Sequence, residues 1–344
     1  MPVRYGIIGC GAIAQRRHIP ECVANPASQL VAIADVVKDR VEEIAGKYKA
    51  KAYTDYKEML KASDIDAIVV AGPNALHAQQ SIEAMEAGKH VLCEKPMATT
   101  REDAKKMIAT SEKTGKYLMI GLNQRLMPPH VRAKEILNSG KLGKVLAFRT
   151  AFKHPGPEGW AIDAAKSWFF KKGPAQMGVS GDLGVHKADL MRWLLGQELS
   201  EVSGFMGALH KRDETGNLID LDDNSFFNFK TNAGVLGSMI LSWTNYGAEE
   251  NYTVLYCENG VLSLGTDPVY GVIVNYRNGD KEMHKVGEMA TNTKQVASGV
   301  IDLFTKCIAE KKAPEINGVE GYRSMDAILT AMEAAKQGKT LKIG

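Results

Sequence analysis

The chain has little cysteine and no C-x-x-C pair: its five cysteines (Cys10, Cys22, Cys93, Cys257 and Cys307) are odd in number and widely spaced. That argues against a disulfide framework and a zinc knuckle, and a reducing cytoplasm fits best. Nor is there a surplus of charge, with 43 Lys+Arg against 40 Asp+Glu and a formal net charge of +3. The basic residues are spread along the chain rather than gathered in blocks, so no nucleic-acid partner is expected. No apolar run reaches the length of a membrane span, so no membrane is expected either. A strand pattern already under way at Val3 leaves no room for a charged and then apolar leader, and a soluble, unprocessed protein is expected. Internal repeats and low-complexity segments are missing too. What is there is a length of 344 residues, too long for one ordinary core and right for two domains.

From Val3 to about Gly121, short apolar runs alternate with helical periods, the rhythm of a parallel sheet with crossover helices. Strands are expected at Arg4–Gly9, Leu30–Asp35, Ala67–Ala71, His90–Glu94 and Tyr117–Gly121. Helices are expected at Val37–Tyr48, Ala75–Ala87 and Arg101–Lys113, with Gly88 closing the second. From about Asn123 the rhythm changes. A helix at Val131–Asn138, closed by Gly140, and a strand at Val145–Lys153 lead through a long loop to a helix near Asp182–Leu195. Strand-like runs follow at Asn224–Lys230, Val235–Trp243, Tyr252–Cys257 and Gly271–Tyr276, with turn signals at Asn232-Ala233-Gly234 and Asn259-Gly260. Hairpins with few helices predict a mainly antiparallel sheet. Helical stretches near Thr293–Glu310 and Gly318–Gln337 then cover one side or return to the first domain. The expected class is α/β, with domains at 1–122 and 123–344.

Gly9-x-Gly11-x-x-Ala14 follows an apolar strand and opens a helical stretch, the context in which such a run binds a dinucleotide. Its small residues let the backbone approach a pyrophosphate at the helix N-terminus, making Gly9, Gly11, Ala12 and Ile13 cofactor-binding candidates. A tight turn without ligand is the bland reading of the run alone. Asp35, at the end of the next strand, is placed to accept from ribose hydroxyls and to repel a 2′-phosphate, which favours NAD over NADP. Lys38 and Arg40 are read as the exposed face of the following helix, although either is able to lean over a phosphate. Pro73 and Asn74 follow a buried strand at the edge where open α/β sheets bind ligands. Asn74 either caps the next helix or meets the cofactor, and His77, one turn in, is a cofactor candidate or a satisfied surface histidine.

Glu94-Lys95-Pro96 closes the next strand at the same edge, and Pro96 fixes the peptide, with cis open to it. A lysine beside a nicotinamide and a reacting oxygen stabilises alkoxide charge or relays a proton. Asp182 and His186, four apart on a predicted helix, share one face. A carboxylate beside an imidazole holds its tautomer and raises its basicity, making a general base for an alcohol proton. Asp189, a further turn along, reads as a structural partner. A third ligand for a metal at Asp182 and His186 is lacking, and no metal is expected.

These motifs, with Gly121-Leu122-Asn123-Gln124-Arg125 at the domain crossover and the run from Gly178 to Asp189, resemble the Gfo/Idh/MocA family of glucose–fructose oxidoreductase and inositol dehydrogenase relatives. The resemblance covers essentially the whole chain, and the order and spacing of the motifs carry it. One departure is Met177-Gly178-Val179, where many members have consecutive glycines, a change able to reshape the substrate wall. The resemblance implies a Rossmann domain joined to an α/β domain with an open antiparallel sheet that lines the substrate pocket and makes homodimer or homotetramer contacts. It implies an NAD-dependent dehydrogenase of a sugar, sugar derivative or cyclitol. His186 would take the hydroxyl proton, Lys95 would stabilise the oxyanion and Asp182 would orient substrate and imidazole, with Lys95 and His186 able to exchange duties. Glu94, Lys95 and Gln124 join the cofactor set. Lys95, Arg125, His154, Trp168, Asp182 and His186 form the substrate set, with the loop from His154 to Trp160 and the segment Lys166 to Phe169 rimming the pocket. A glycosidase working by transient oxidation with held NAD would share the cofactor motifs. A non-catalytic NAD- and sugar-sensing regulator is the binding-class alternative, and intact Lys95 and His186 speak against it. A biliverdin-reductase-like enzyme would need a flatter, more apolar site.

Overall fold

The apolar runs of the first domain are buried on both faces, and this is why they read as continuous rather than alternating. Ala67, Ile68, Val69 and Val70 are all 0% exposed. In the computed structural model, which describes residues 1–287 and 297–344, six strands form this sheet: β1 (Val3–Ile8), β2 (Ser28–Ala34), β3 (Lys51–Tyr53), β4 (Ala67–Val70), β5 (His90–Cys93) and β6 (Leu118–Ile120). They pair in parallel in the order β3-β2-β1-β4-β5-β6. The order reverses between β1 and β4, so the loops after these strands diverge and leave a crevice at their carboxyl ends. The crossovers are α1 (Ile19–Ala24), α2 (Lys38–Tyr48), α3 (Tyr56–Leu60), α4 (His77–Glu86) and α5 (Arg101–Thr114). Local chemistry sets their ends. Thr100 accepts from the Asp103 N–H at 3.1 Å to open α5, and Gly115 closes it in the left-handed region at φ +67°. Gly88 likewise follows α4 at φ +82°, as expected.

The second domain adds α6 (Pro128–Asn138), β7 (Val145–Lys153), a one-turn α7 (Lys172–Ala175), α8 (Val185–Leu195), β8 (Leu199–Gly207), β9 (Asn224–Thr231), β10 (Leu236–Ser242), β11 (Glu250–Cys257), β12 (Gly260–Leu264), β13 (Val272–Tyr276), β14 (Lys281–His284), α9 (Val300–Glu310), α10 (Gly318–Gln337) and β15 (Leu341–Lys342). Among the described residues, nine strands form one sheet in the order β14-β13-β12-β11-β7-β10-β9-β8-β15, antiparallel except for the β7/β10 pair. Period-2 alternation gives it two faces: in β9, Phe227, Phe229 and Thr231 are buried while Phe226, Asn228 and Lys230 are exposed. Helices α8 and α10 pack on one side, and Phe205, Phe226 and Leu236 stand exposed on the strands.

The closing helices do both things the sequence left open. Helix α10 packs against α8 and β8 and also against α5 and β6 of the first domain, and the Ile120 N–H donates to the Ile316 carbonyl at 2.9 Å. In α9, the Thr305 hydroxyl meets the Tyr5 hydroxyl at 2.8 Å. The helix expected from Thr293 begins at Val300; residues 293–296 of that expectation lie outside the described residues.

Candidate active site

At the crevice, the two glycines of the first turn do different work. Gly9 has φ +93°, and a Cβ there would lie 2.7 Å from the Ala71 carbonyl oxygen, so the close approach of the β1 and β4 loops requires glycine. A Cβ on Gly11 would meet nothing within 4 Å among the described residues. Gly11 therefore faces an open cradle at the start of the helical stretch that leads to α1, where unpaired N–H groups favour an anion. Gly11, Ala12 and Ile13 line the cleft, while Gly9 lies behind its wall. Asp35 ties the turn down: it accepts from the Cys10 N–H at 2.7 Å and the Val37 N–H at 2.9 Å. Arg40 is not merely an exposed helix face. It lines the cleft, 3.9 Å from Asp35 and 3.4 Å from Asp163 of the second domain, whereas Lys38 is exposed and pairs with Glu42. Gln124 also lines the cleft, and its buried Oε1 has no hydrogen-bond partner among the described residues. An open cradle, N–H groups and an orphaned acceptor on one wall fit a dinucleotide.

The next loop carries the charged groups, and the Lys95–Pro96 bond is cis. Glu94 accepts from His18 Nε2 at 2.8 Å, with Arg17 at 3.7 Å. Burial opposes its ionisation, but His18, Arg17 and Lys95 together hold its carboxyl well below the usual range. Lys95 reaches across the cleft from the end of β5 and donates to the Asp182 carboxylate at 2.7 Å and to the Asp182 carbonyl at 2.8 Å. Asp182 sits on a π-helical turn, Ser180–Gly184, that runs into α8. Asp222 anchors that turn by accepting from the Ser180 N–H at 2.8 Å. The other carboxylate oxygen of Asp182 accepts from Trp243 Nε1 at 3.1 Å. Burial opposes ionisation here as well, and Lys95 with His154 outweighs it.

His186 lines the same cavity one turn further on. Asp182 pulls the His186 pKa upward as expected, but this is outweighed. Burial, then the charge of Lys95, push the imidazole well below its ordinary value, and its buried Nδ1 has no partner among the described residues. The carboxylate meant to orient the ring is engaged by Lys95 and Trp243 instead.

Other expected roles change as well. Arg125 was placed among the substrate ligands, but its guanidinium is buried against Asp189 at 2.8 and 2.5 Å and Glu320 at 2.7 Å, so it braces α8 and α10. His154 lies behind the wall: its Nδ1 accepts from the Gly156 N–H at 3.0 Å, which puts the ring proton on Nε2, 3.8 Å from Asp182. Asn74 does not cap α4 but lines the cleft, as its other expected role requires, and its amide donates to the Ala175 carbonyl at 3.0 Å, joining the two domains, while Pro73 stands off the wall. His77 lines the cleft with both ring nitrogens on backbone carbonyls, Pro96 at 2.8 Å and Gly72 at 2.9 Å, so neither is left for a cofactor. Met177 packs against Gly181 and stays off the cavity wall.

The same cavity has an aromatic wall. Trp168 stacks on Phe169 at 4.0 Å, Trp160 meets Phe169 edge-on at 5.0 Å, and Phe152 completes the surface. Trp160 Nε1 and Asn251 Oδ1 are buried on this wall without partners among the described residues, one a donor and one an acceptor. Arg17, His18, Phe152, Asn251 and Trp243 had escaped notice. Trp243 ends an expected strand and Arg17 follows the glycine turn, but only the assembled sheets bring them to the cleft.

Comparison with known proteins covers the whole length. Residues 3–122 match the oxidoreductase family model with an NAD-binding Rossmann fold, and residues 130–263 match the GFO/IDH/MocA C-terminal domain. The uncharacterized oxidoreductase YrbE of Bacillus subtilis (strain 168) is 31% identical over 198 residues, 57% of this chain and 55% of that protein, so the chain aligns to about half of that relative. The inositol 2-dehydrogenase/D-chiro-inositol 3-dehydrogenase of Shouchella clausii is 30% identical over 285 residues, 81% of this chain and 77% of its own. A levoglucosan dehydrogenase solved in complex with NADH shares the fold at a TM-score of 0.87, with 22% identity and full coverage of both chains, 100% each.

Proposed function

The chain belongs to the GFO/IDH/MocA family of NAD-binding oxidoreductases, and from that premise we propose that it moves a hydride between nicotinamide and a hydroxyl-bearing carbon of a sugar, sugar derivative or cyclitol. The observation that carries this reading is the Lys95–Asp182 pair, facing the same cavity as His186 and an aromatic wall. Gly11, Ala12, Ile13, Asp35 and Gln124 would hold NAD, which when bound supplies the hydride acceptor. His186, kept neutral by burial, accepts the proton of the substrate hydroxyl. Lys95, fixed in direction by both oxygen types of Asp182, stabilises negative charge growing on that oxygen. Trp168 and Phe169 offer flat faces to the C–H side of a ring, and Trp160 and Asn251 meet its hydroxyls.

In this reading the chain divides near residue 122 into a cofactor domain and a substrate domain. It acts as a homodimer or homotetramer through the open sheet face, a reading supported by exposed Phe205, Phe226 and Leu236. It works in the cytoplasm, where five buried, unpaired cysteines stay reduced. The experiment is a screen of myo-inositol, scyllo-inositol, D-glucose and levoglucosan with NAD and with NADP, following absorbance of the reduced nicotinamide. Reduction of NAD by a member of the panel is expected, and no reduction by any polyol would defeat the proposal.

A further inference from the structure

The turn that carries Lys95 is held by few hydrogen bonds: the Lys95 N–H donates to the Glu94 carboxylate at 3.2 Å, and the Cys93 thiol faces the Met97 carbonyl at 3.9 Å. Residues 95–97 belong to no helix or strand, and Pro96 has no N–H to offer. Among the described residues, the nitrogen donor that reaches a carbonyl of this turn is His77, whose Nδ1 lies 2.8 Å from the Pro96 oxygen. His77 is the first residue of α4 and is 1% exposed. Just before it, Asn74 is tied to Ala175 across the domain boundary, so the ring projects from a fixed point.

Its other nitrogen, Nε2, faces the Gly72 carbonyl at 2.9 Å. A neutral imidazole has one N–H and serves only one of the two oxygens fully. Pro96 is buried and Gly72 is partly open to solvent, so the Pro96 carbonyl costs more to leave without a donor. We propose that His77 is a positioning residue for Lys95: it donates Nδ1–H to the Pro96 carbonyl and so fixes the turn from which the lysine reaches Asp182. This rests on Lys95 acting in the reaction as described above.

The two nitrogens can be tested separately, because the amide nitrogen of asparagine stands at the reach of Nδ1 and that of glutamine at the reach of Nε2. H77N, H77Q and H77F are compared with K95A for turnover on the fastest polyol of the panel, for NADH binding by fluorescence, and for amide hydrogen exchange of the peptide covering Glu94 to Ala98. Melting temperatures report on folding. H77N should keep turnover within about threefold of the parent and its exchange protection. H77Q and H77F should lose about tenfold or more in turnover, as expected for a reacting group misplaced by a fraction of an ångström to an ångström, and should exchange faster at that peptide while NADH affinity holds. Equal behaviour of H77N and H77Q in turnover and exchange, or full protection in H77F, would overturn the proposal. If K95A keeps parental turnover, the reading of Lys95 fails, and the exchange pattern still decides whether His77 fixes the turn.

Discussion

Lys95 has both its direction and its charge partner supplied by one residue 87 positions away, through hydrogen bonds to the carboxylate and the carbonyl of Asp182. K95A should therefore lower turnover by about two to four orders of magnitude while leaving NADH affinity within a few-fold, as read by steady-state kinetics and a fluorescence titration. Turnover near that of the parent would make the lysine a bystander. His186 yields a prediction of opposite sense to the one its neighbours suggest. An acidic neighbour raises an imidazole pKa, but burial and Lys95 win here and lower it. Because the neutral ring is the base, oxidation should stay on its plateau as pH falls through the ordinary imidazole value of about 6.5, declining only at lower pH. H186N should abolish that limb and most of the rate; a limb that persists would assign it to another group. The types of the acid–base residues were legible in the sequence because each stands at a strand end or one helical face. The partners of Arg125 were not: they lie 64 and 195 residues away, and nothing local marks an arginine as already paired.

Helix α8 shows how one element serves both chemistry and stability. Its first turn carries His186, and the next carries Asp189, which is 0% exposed and holds Arg125 and the Ser324 hydroxyl. D189A would leave a buried guanidinium with Glu320 as its carboxylate partner among the described residues, and should cost about 3 kcal/mol of stability, the lower end for breaking a buried pair. Urea denaturation measures it, and a loss below about 0.5 kcal/mol, the range of ordinary surface substitutions, would show the pair to be dispensable. The reading of elements succeeded where periodicity was strong, as for the burial-alternating β9 and the wholly apolar β4. It missed β8, whose burial does not alternate cleanly and whose Gly204 packs directly beneath the Phe226 carbonyl. It also missed β3, an edge strand of three residues that carries too few positions to show a period.

The whole molecule places its cleft between two sheets that no local signal relates. The glycine turn, the Lys95 turn and the aromatic wall converge because α10 packs on both domains and Asn74, in the turn before α4, is tied to Ala175. The substrate sheet presents Phe205 at 81% exposure, directly opposite Phe226 across the β8/β9 ladder. If that face joins copies of the chain, sedimentation should show a dimer or tetramer, and Phe205→Asp with Phe226→Lys should shift it toward monomer. A parent that sediments as a monomer would remove this role from the face. The account as a whole stands on hydride transfer from a polyol carbon, and the direct measurement is mass spectrometry of the nicotinamide after incubation of the enzyme and NAD with C-deuterated myo-inositol, D-glucose or levoglucosan. Reduced nicotinamide carrying one deuterium, matched mole for mole by oxidised substrate, is the predicted result. Reduced cofactor without deuterium, or none formed with any of these polyols, would contradict it.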